Sequence, residues 1–349
     1  MIVASIIPFV GTRRAYTHLG VHAPPDRTAG MSRGVLIPET DPTPDFADWI
    51  GSLGYDSIWA NELWGHDAFV TLAAIAPHTD AALGTAIVNV YSRSPAVLAG
   101  AASSLSTLAS GPIRLGIGPS TSKAIEDLHG HEFDRPVRRL HETAELVHAF
   151  TAGEGRVEYD GEVISVRDFP ALDGDVSVYA AALGETSRRA TGRTADGWLP
   201  HMIPFDELEN AFETVRQTAR EAGRDPALDV SPYVPAAVAE DPEAAREAIR
   251  GHVAYYVGSG EGYRRAVSKR FPDEADRIAT AWAAGERGRA REEVTDGMVE
   301  ALGVAGTPEG ARERFERVAG TAPITEPIVV VPSNAGRELA ERTIETLAP

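Results

Sequence analysis

Leu83-Gly-Thr-Ala-Ile-Val-Asn-Val-Tyr-Ser-Arg-Ser-Pro95, followed by Leu115-Gly-Ile-Gly-Pro119, reads as strand, polar mouth, helix, strand and glycine turn within one βαβ unit. Polar and glycine positions gather where the strands end. In parallel α/β proteins those C-terminal strand ends hold cofactors and substrates. The stretch therefore marks both a fold and a site.

Working outward, the same rhythm repeats. Gly34-Val-Leu-Ile-Pro38 is a short apolar run, Asp45 to Leu53 has helical spacing, and Gly54 stops it. Tyr55 to Trp59 is a second strand, Asp67 to Ala76 a helix, Ala82 to Val88 a third strand. Pro95 to Ala109 is a helix with proline in its first turn, and Ile113 to Ile117 a fourth strand. Four such repeats predict parallel strands joined by crossovers. Pro136 to Phe150 is a long helix. Arg156 to Val166 alternates around Asp160-Gly161, a hairpin signal inside an insertion at about 151–175. The rhythm returns with Val176 to Ala180, a helix from Glu185 to Thr194, Gly197 to Leu199, a helix from Phe205 to Ala222, and Leu228 to Val238 with two prolines. A helical stretch at about 241–301 is a second insertion. Thr307 then caps a helix, Pro327 to Val331 is the last strand and Asn334 to Leu347 the closing helix. About eight strands point to one TIM (β/α)8 barrel over 33–349 with a helical insertion region near the C-terminus. A doubly wound sheet is the alternative. Residues 1–32 lack periodicity and read as a loosely attached tail, or as a segment preceding a true start at Met31.

Asp and Glu number 51 against 33 Lys plus Arg, a net charge of −18, and Lys123 and Lys269 are the only lysines. Such a composition suits solubility in concentrated salt, where screening removes most self-repulsion. A halophilic, archaeal source is the expectation, with GC-rich coding as the alternative. The charge argues against nucleic acid as a partner, because phosphate binding needs a basic face. The chain has no cysteine, which excludes disulfides, iron–sulfur clusters and thiol nucleophiles. No run of about 18 apolar residues occurs, so no membrane span is expected and a cytoplasmic location is.

Gly184-Glu-Thr-Ser187 follows a strand and opens a helix. Free backbone N–H groups and the helix dipole there make either an anion site or an ordinary capped helix. Gly116 to Thr121 is a glycine-rich strand-end loop without GxGxxG spacing, as compatible with a plain turn as with a nucleotide. Asn61, Glu62, Trp64, His66 and Asp67 cluster after the second strand, where a carboxylate and an imidazole suit proton transfer or a solvated loop. His129-Gly-His131 lacks an obvious third ligand, so no metal is expected.

Taken in order, Gly34–Pro38, Gly54–Trp59, Leu83–Pro95 and Leu115–Pro119 resemble the luciferase-like oxidoreductases. Val178–Gly184, Thr194–Trp198 and Ala305–Glu309 extend the likeness, which runs from about residue 33 to the C-terminus. Within that family the chain looks most like the deazaflavin branch that uses coenzyme F420, which includes methylene-tetrahydromethanopterin reductases. The resemblance implies a TIM barrel, a homodimer, and F420 lying across the strand C-termini, with FMN as the alternative cofactor. It also implies a non-prolyl cis peptide at Ala86–Ile87, bulging against the ring. By the same likeness Ala86, Ile87 and Asn89 contact the ring, and Gly118, Pro119 and Ala182 belong to the cofactor site. Gly184, Glu185 and Thr186 form the phosphate-side loop. Glu62 lies near the polar edge of the ring.

Three positions depart from the family pattern. Leu36, Leu63 and Thr121 stand where relatives carry a glutamate, a histidine and a carboxylate. This implies a changed substrate, with Glu62 or His66 as the acid, or a hydride transfer that needs no side-chain acid. The expected function is hydride transfer between F420 and a small organic molecule, such as a pterin-type one-carbon carrier. An FMN-dependent monooxygenase and a non-catalytic cofactor-binding barrel are the alternatives.

Overall fold

The computed structural model describes residues 32–38, 43–63 and 65–349; the tail expected at the N-terminus lies outside them but for Ser32, as does Trp64. Strand β1 (Gly34–Leu36) is followed by helix α1 (Pro44–Ser52), β2 (Ser57–Ala60) by α2 (Ala68–Ile75), and β3 (Ala82–Thr85) and β4 (Val88–Asn89) by α3 (Pro95–Ser106) and β5 (Ile113–Gly118). Thr43, Asp67 and Ser94 cap the three helices by accepting the N–H of Phe46, Val70 and Val97. The strand expected over 82–88 is thus two short strands, broken where the Ala86–Ile87 peptide is cis.

After α4 (Pro136–Phe150) come β6 (Arg156–Asp160) and β7 (Ser165–Pro170), an antiparallel pair forming its own two-stranded sheet. The hairpin signalled around Asp160-Gly161 is present, with Asp160 paired to Ser165 and a four-residue connection that starts at Gly161. The buried Glu142 of α4 holds the connection, accepting the N–H groups of Glu162, Val163 and Ile164 at 2.7, 3.0 and 2.9 Å. Strand β8 (Val176–Ala180), α5 (Glu185–Thr194), β9 (Gly197–Trp198), α6 (Leu208–Glu221), β10 (Asp229–Val230) and β11 (Tyr233–Val238) restore the alternation. Five helices then run in succession: α7 (Pro242–Ser259), α8 (Glu261–Val267), α9 (Pro272–Ala283), α10 (Arg287–Glu292) and α11 (Asp296–Leu302). The chain closes with β12 (Val304–Gly306), α12 (Pro308–Ala319), β13 (Ile328–Val330) and α13 (Arg337–Thr346).

The main sheet runs β10-β9-β8-β5-β3-β2-β1-β13-β11-β12, with β4 on β5, and its pairs are parallel. The segment 229–238 touches this order twice. β10 pairs with β9 while β11 pairs with β13. Ser231 N donates to Trp198 O, and Ile328 N donates to Pro232 O, both at 2.9 Å. The sheet is therefore curled, with helices on its outside.

Side chains alternate across the curl with the period of two that strands impose. Val35, Ile58, Val178, Ala180, Trp198, Val234 and Val329 join the large core beneath the helices. Their neighbours Trp59, Tyr179, Leu199, Ile328 and Val330 form a separate inner cluster. Near the strand N-termini this inner face ends in a polar plug. Ser57 donates to Glu326, Trp59 Nε1 donates to Ser57 Oγ at 2.6 Å, and Arg114 pairs with Glu326 while facing the Trp59 and Tyr179 rings. Helices α7–α11 carry a second core of their own, built on Ile249, Val253, Val257, Ile278 and Met298.

Candidate active site at the C-terminal ends of the strands

At the other end of the inner face four side chains, Leu36, Ile87, Ala181 and Tyr233, are only partly buried and pack on the inner cluster. They make an apolar floor that stays reachable. Ala86 is buried and its N–H donates to Ala60 O at 2.8 Å, so the cis pair presents Ile87 to the mouth. Gly118 leaves room for it, because a Cβ there would lie 3.1 Å from Ile87 Cδ1 and 3.2 Å from Ala181 Cβ. Pro119 follows at the rim, and Ser120 takes φ of 61° to turn the chain away.

Asn89 is buried and its polar atoms are engaged. Its Oδ1 accepts from Tyr91 N and Ser92 N at 3.0 and 2.7 Å, and Nδ2 lies 3.2 Å from His129 Nε2. Asn89 thus fixes the turn that carries Tyr91 to Arg93, and His129 is its partner. Tyr91 stacks on Phe133 and lies under the Arg139 guanidinium.

Glu62 is tied to the floor through its N–H, which donates to Ile87 O at 3.3 Å. Both of its carboxylate oxygens are occupied. Arg93 Nη1 and Nη2 donate to them at 2.5 and 3.0 Å, and Ala68 N at the start of α2 donates at 3.1 Å. This fork is a charge-assisted bidentate pair. It raises the Arg93 pKa further, and Arg93 also reaches Asp67. His66 is exposed on the same loop. Nothing in the sequence singled out Arg93, although it stands inside the diagnostic stretch.

Gly184 opens α5 without a side-chain cap. A Cβ there would meet only Ser187 Oγ, at 3.8 Å, so the helix start is open. Thr186 follows in the first turn, while Glu185 pairs with Arg189 at 2.8 Å, well exposed, which holds its carboxyl below the usual range. Behind this start lies Arg188. It is 6% exposed, Nη1 donates to Leu183 O at 2.6 Å, and Nε has no hydrogen-bond partner. Burial lowers its pKa. Ala182 is buried, and its carbonyl accepts from Trp198 Nε1 at 2.8 Å.

One further group escaped the sequence reading. His201 follows β9 by three residues, and its Nε2 lies 3.1 Å from Nε2 of His252 on α7. Tyr233, Tyr256 and Tyr263 enclose His201 with ring centroids 5.1, 4.4 and 5.5 Å away. Burial drives His201 well below the usual imidazole range and His252 down to about 3, so both are neutral at pH 7. The Tyr233 hydroxyl is buried without a hydrogen-bond partner.

Residues 17–323 match the family model for luciferase-like monooxygenases. The chain is 28% identical over 323 residues to the 5,10-methylenetetrahydromethanopterin reductase of Methanolobus tindarius, covering 90% of this chain and 98% of that one. The fold resembles that of the coenzyme F420-dependent tetrahydromethanopterin reductase from Methanopyrus kandleri, with a TM-score of 0.77, 24% identity, and 92% and 98% of the two chains covered. It also resembles an F420-dependent secondary alcohol dehydrogenase solved with an F420-acetone adduct, with a TM-score of 0.71, 17% identity, and 92% and 100% covered. The curled sheet with its inner face, its broken third strand and its glycine-lined mouth is therefore the frame of a known group, and the chain belongs to the luciferase-like monooxygenase family.

Proposed function

We propose that this chain is a coenzyme F420-dependent oxidoreductase that moves a hydride between the deazaflavin and a small organic molecule, with a pterin-type one-carbon carrier as the first candidate. The observation that carries the reading is the floor of Leu36, Ile87, Ala181 and Tyr233, an apolar and partly exposed face with an open helix start at its side. A flat ring fits an apolar floor, and a phosphate fits free N–H groups backed by a buried guanidinium. Ile87, with Ala86 behind it, Gly118, Pro119 and Ala182 would hold the ring side. Gly184, Thr186 and Arg188 would hold the phosphate side, with Glu185 turned to Arg189. Asn89 would act through the turn it fixes. Bound F420 supplies the hydride chemistry.

In this reading the part of Glu62 is to hold the rim, because Arg93 and the Ala68 N–H occupy both of its oxygens. His66 is the exposed candidate acid there. The likeness to 5,10-methylenetetrahydromethanopterin reductase supports the pterin-type carrier, and a homodimer belongs to the same reading. A cytoplasmic location and a halophilic source rest on composition. We read the curled sheet as a closed (β/α)8 barrel, because the segment 229–238 hydrogen-bonds to β9 on one side and β13 on the other. Helices α7–α11, with their own core, are then an insertion between barrel strands.

The test is reoxidation of reduced F420 by methylene-tetrahydromethanopterin and by a panel of ketones, followed by absorbance. Turnover with either supports the reading. Turnover only with reduced FMN and oxygen would replace it with the monooxygenase alternative.

A further inference from the structure

We propose that His201 is the proton donor of this site and that His252 is the relay that reloads it. The inference rests on the hydride-transfer reading above. Three observations carry it. The first is position. Leu199 belongs to the inner cluster, and His201 stands two residues further along the chain, past the C-terminal end of β9. It lies against Tyr233, which is part of the floor.

The second is the nitrogen pair. Two imidazole nitrogens 3.1 Å apart, with both rings neutral, hold one hydrogen between them. Two N–H groups would repel and two bare nitrogens would leave buried acceptors facing each other. One ring therefore carries its proton on Nε2 and the other on Nδ1. The bridging proton can shift without separating charge when His201 Nδ1 gives up its proton and His252 Nδ1 gains one in the same event. The third is that Glu62, whose N–H bonds the floor at Ile87 O, has both carboxylate oxygens committed to Arg93 and the Ala68 N–H.

The step balances as follows. A hydride forms a new C–H bond at the electrophilic carbon of the substrate. The electron pair of the C–N or C=O bond moves to the heteroatom, which takes the proton from His201 Nδ1. In the same event the bridging proton passes from His252 Nε2 to His201 Nε2 and water protonates His252 Nδ1. After product release the pair resets, His201 Nδ1 taking a proton from water while the bridging proton returns to His252 Nε2 and His252 Nδ1 releases its own. Each turnover consumes one hydride and one proton. Tyr233, Tyr256 and Tyr263 pack around His201, and Tyr256 also packs on His252, which holds the two rings in place.

The test begins with the full-length chain without cofactor. Histidine 15N spectra at pH 7 should show His201 and His252 as opposite neutral tautomers joined by a coupling across Nε2–H···Nε2. Identical tautomers, or two independently titrating rings, overturn the proposal. In parallel, His201→Gln and His252→Gln are compared with wild type for F420 binding by fluorescence and for methylene-tetrahydromethanopterin reduction. Both variants should bind F420 as wild type does. His201→Gln should lose about 100-fold or more in kcat, the usual worth of a positioned acid. His252→Gln should lose less, and added imidazole should partly rescue it. Wild type should show a solvent deuterium isotope effect on kcat that His252→Gln changes. Retention of kcat and of the isotope effect in both variants contradicts the relay. If wild type fails to bind F420, the hydride-transfer reading falls, and the spectra still decide whether the pair shares a proton.

Discussion

The two ends of the inner face hold polar clusters of opposite character. At the strand N-termini the polar groups are charged and matched: Arg114 with Glu326, Ser57 with Glu326, and Tyr179 with Asp229. At the C-termini a neutral cluster, a histidine pair and a tyrosine hydroxyl with no partner, stands beside the charged fork of Glu62 and Arg93. Buried charges persist only when paired. A paired cluster closes its end of the sheet and leaves nothing to offer a ligand. A neutral cluster with spare hydrogen-bonding capacity lies beside a floor that is still exposed. The contrast separates a group that holds the fold from one that serves chemistry.

The largest expected effect comes from breaking the plug. Glu326→Leu strands the Arg114 guanidinium among the Trp59 and Tyr179 rings and should destabilise the protein by about 3 to 5 kcal/mol, read by denaturant unfolding. Adding Arg114→Met to it should recover much of that loss. If the double variant is no more stable than the single one, the pair is not what Glu326 contributes.

The glycines sharpen the comparison next. Gly116→Ala would put a Cβ 1.9 Å from the Thr85 carbonyl oxygen, a contact with backbone. It should cost stability by about 1 to 3 kcal/mol. Gly118→Val meets instead the Ile87 and Ala181 side chains at the floor. It should leave the melting temperature nearly unchanged and weaken F420 binding by about tenfold, roughly 1.4 kcal/mol. The reverse ranking would mean that the floor is structural.

Acid titration separates the clusters by sign. The mouth histidines are neutral in the folded chain, with His252 down to about 3, while unfolded imidazoles take up protons near pH 6.5. Between those values the unfolded state binds more protons, so stability is complete above about pH 6.5 and is lost as the pH falls towards 3. His252→Gln should flatten that limb, measured by thermal unfolding from pH 7 to pH 4.

The smallest effect concerns the surface. Pairs such as Lys123 with Asp127 are exposed, where water and salt screen them and leave little net stabilisation. The net charge of −18 opposes folding throughout. Adding potassium chloride should therefore raise the melting temperature, and a fall would count against the halophilic reading.

Much of the frame was legible because strands and helices write their periods locally. The run from Leu83 to Pro95 announced the third strand, whose interruption was implied only by the family likeness, and the cap at Thr307 was visible one residue ahead of its helix. Gly184 could be read as a helix start, and the structure adds that no side chain caps it. The histidine pair could not be read. His201 and His252 are 51 residues apart, on a loop and a helix, and only packing of α7 against the mouth brings them to 3.1 Å. Glu62 was legible as a rim residue but its pairing was not, because the partner Arg93 comes from a different crossover. The grip on the hairpin loop escaped for the same reason, since Glu142, which holds it, lies on α4. Contacts set by tertiary packing leave no local period behind.

The most direct test of the central claim is a fluorescence titration of the full-length chain in concentrated salt, once with coenzyme F420 and once with FMN, each repeated on Gly118→Val. The account predicts tight F420 binding, weak FMN binding and a loss of F420 affinity in the variant. Preference for FMN, or F420 binding that Gly118→Val leaves untouched, would contradict it.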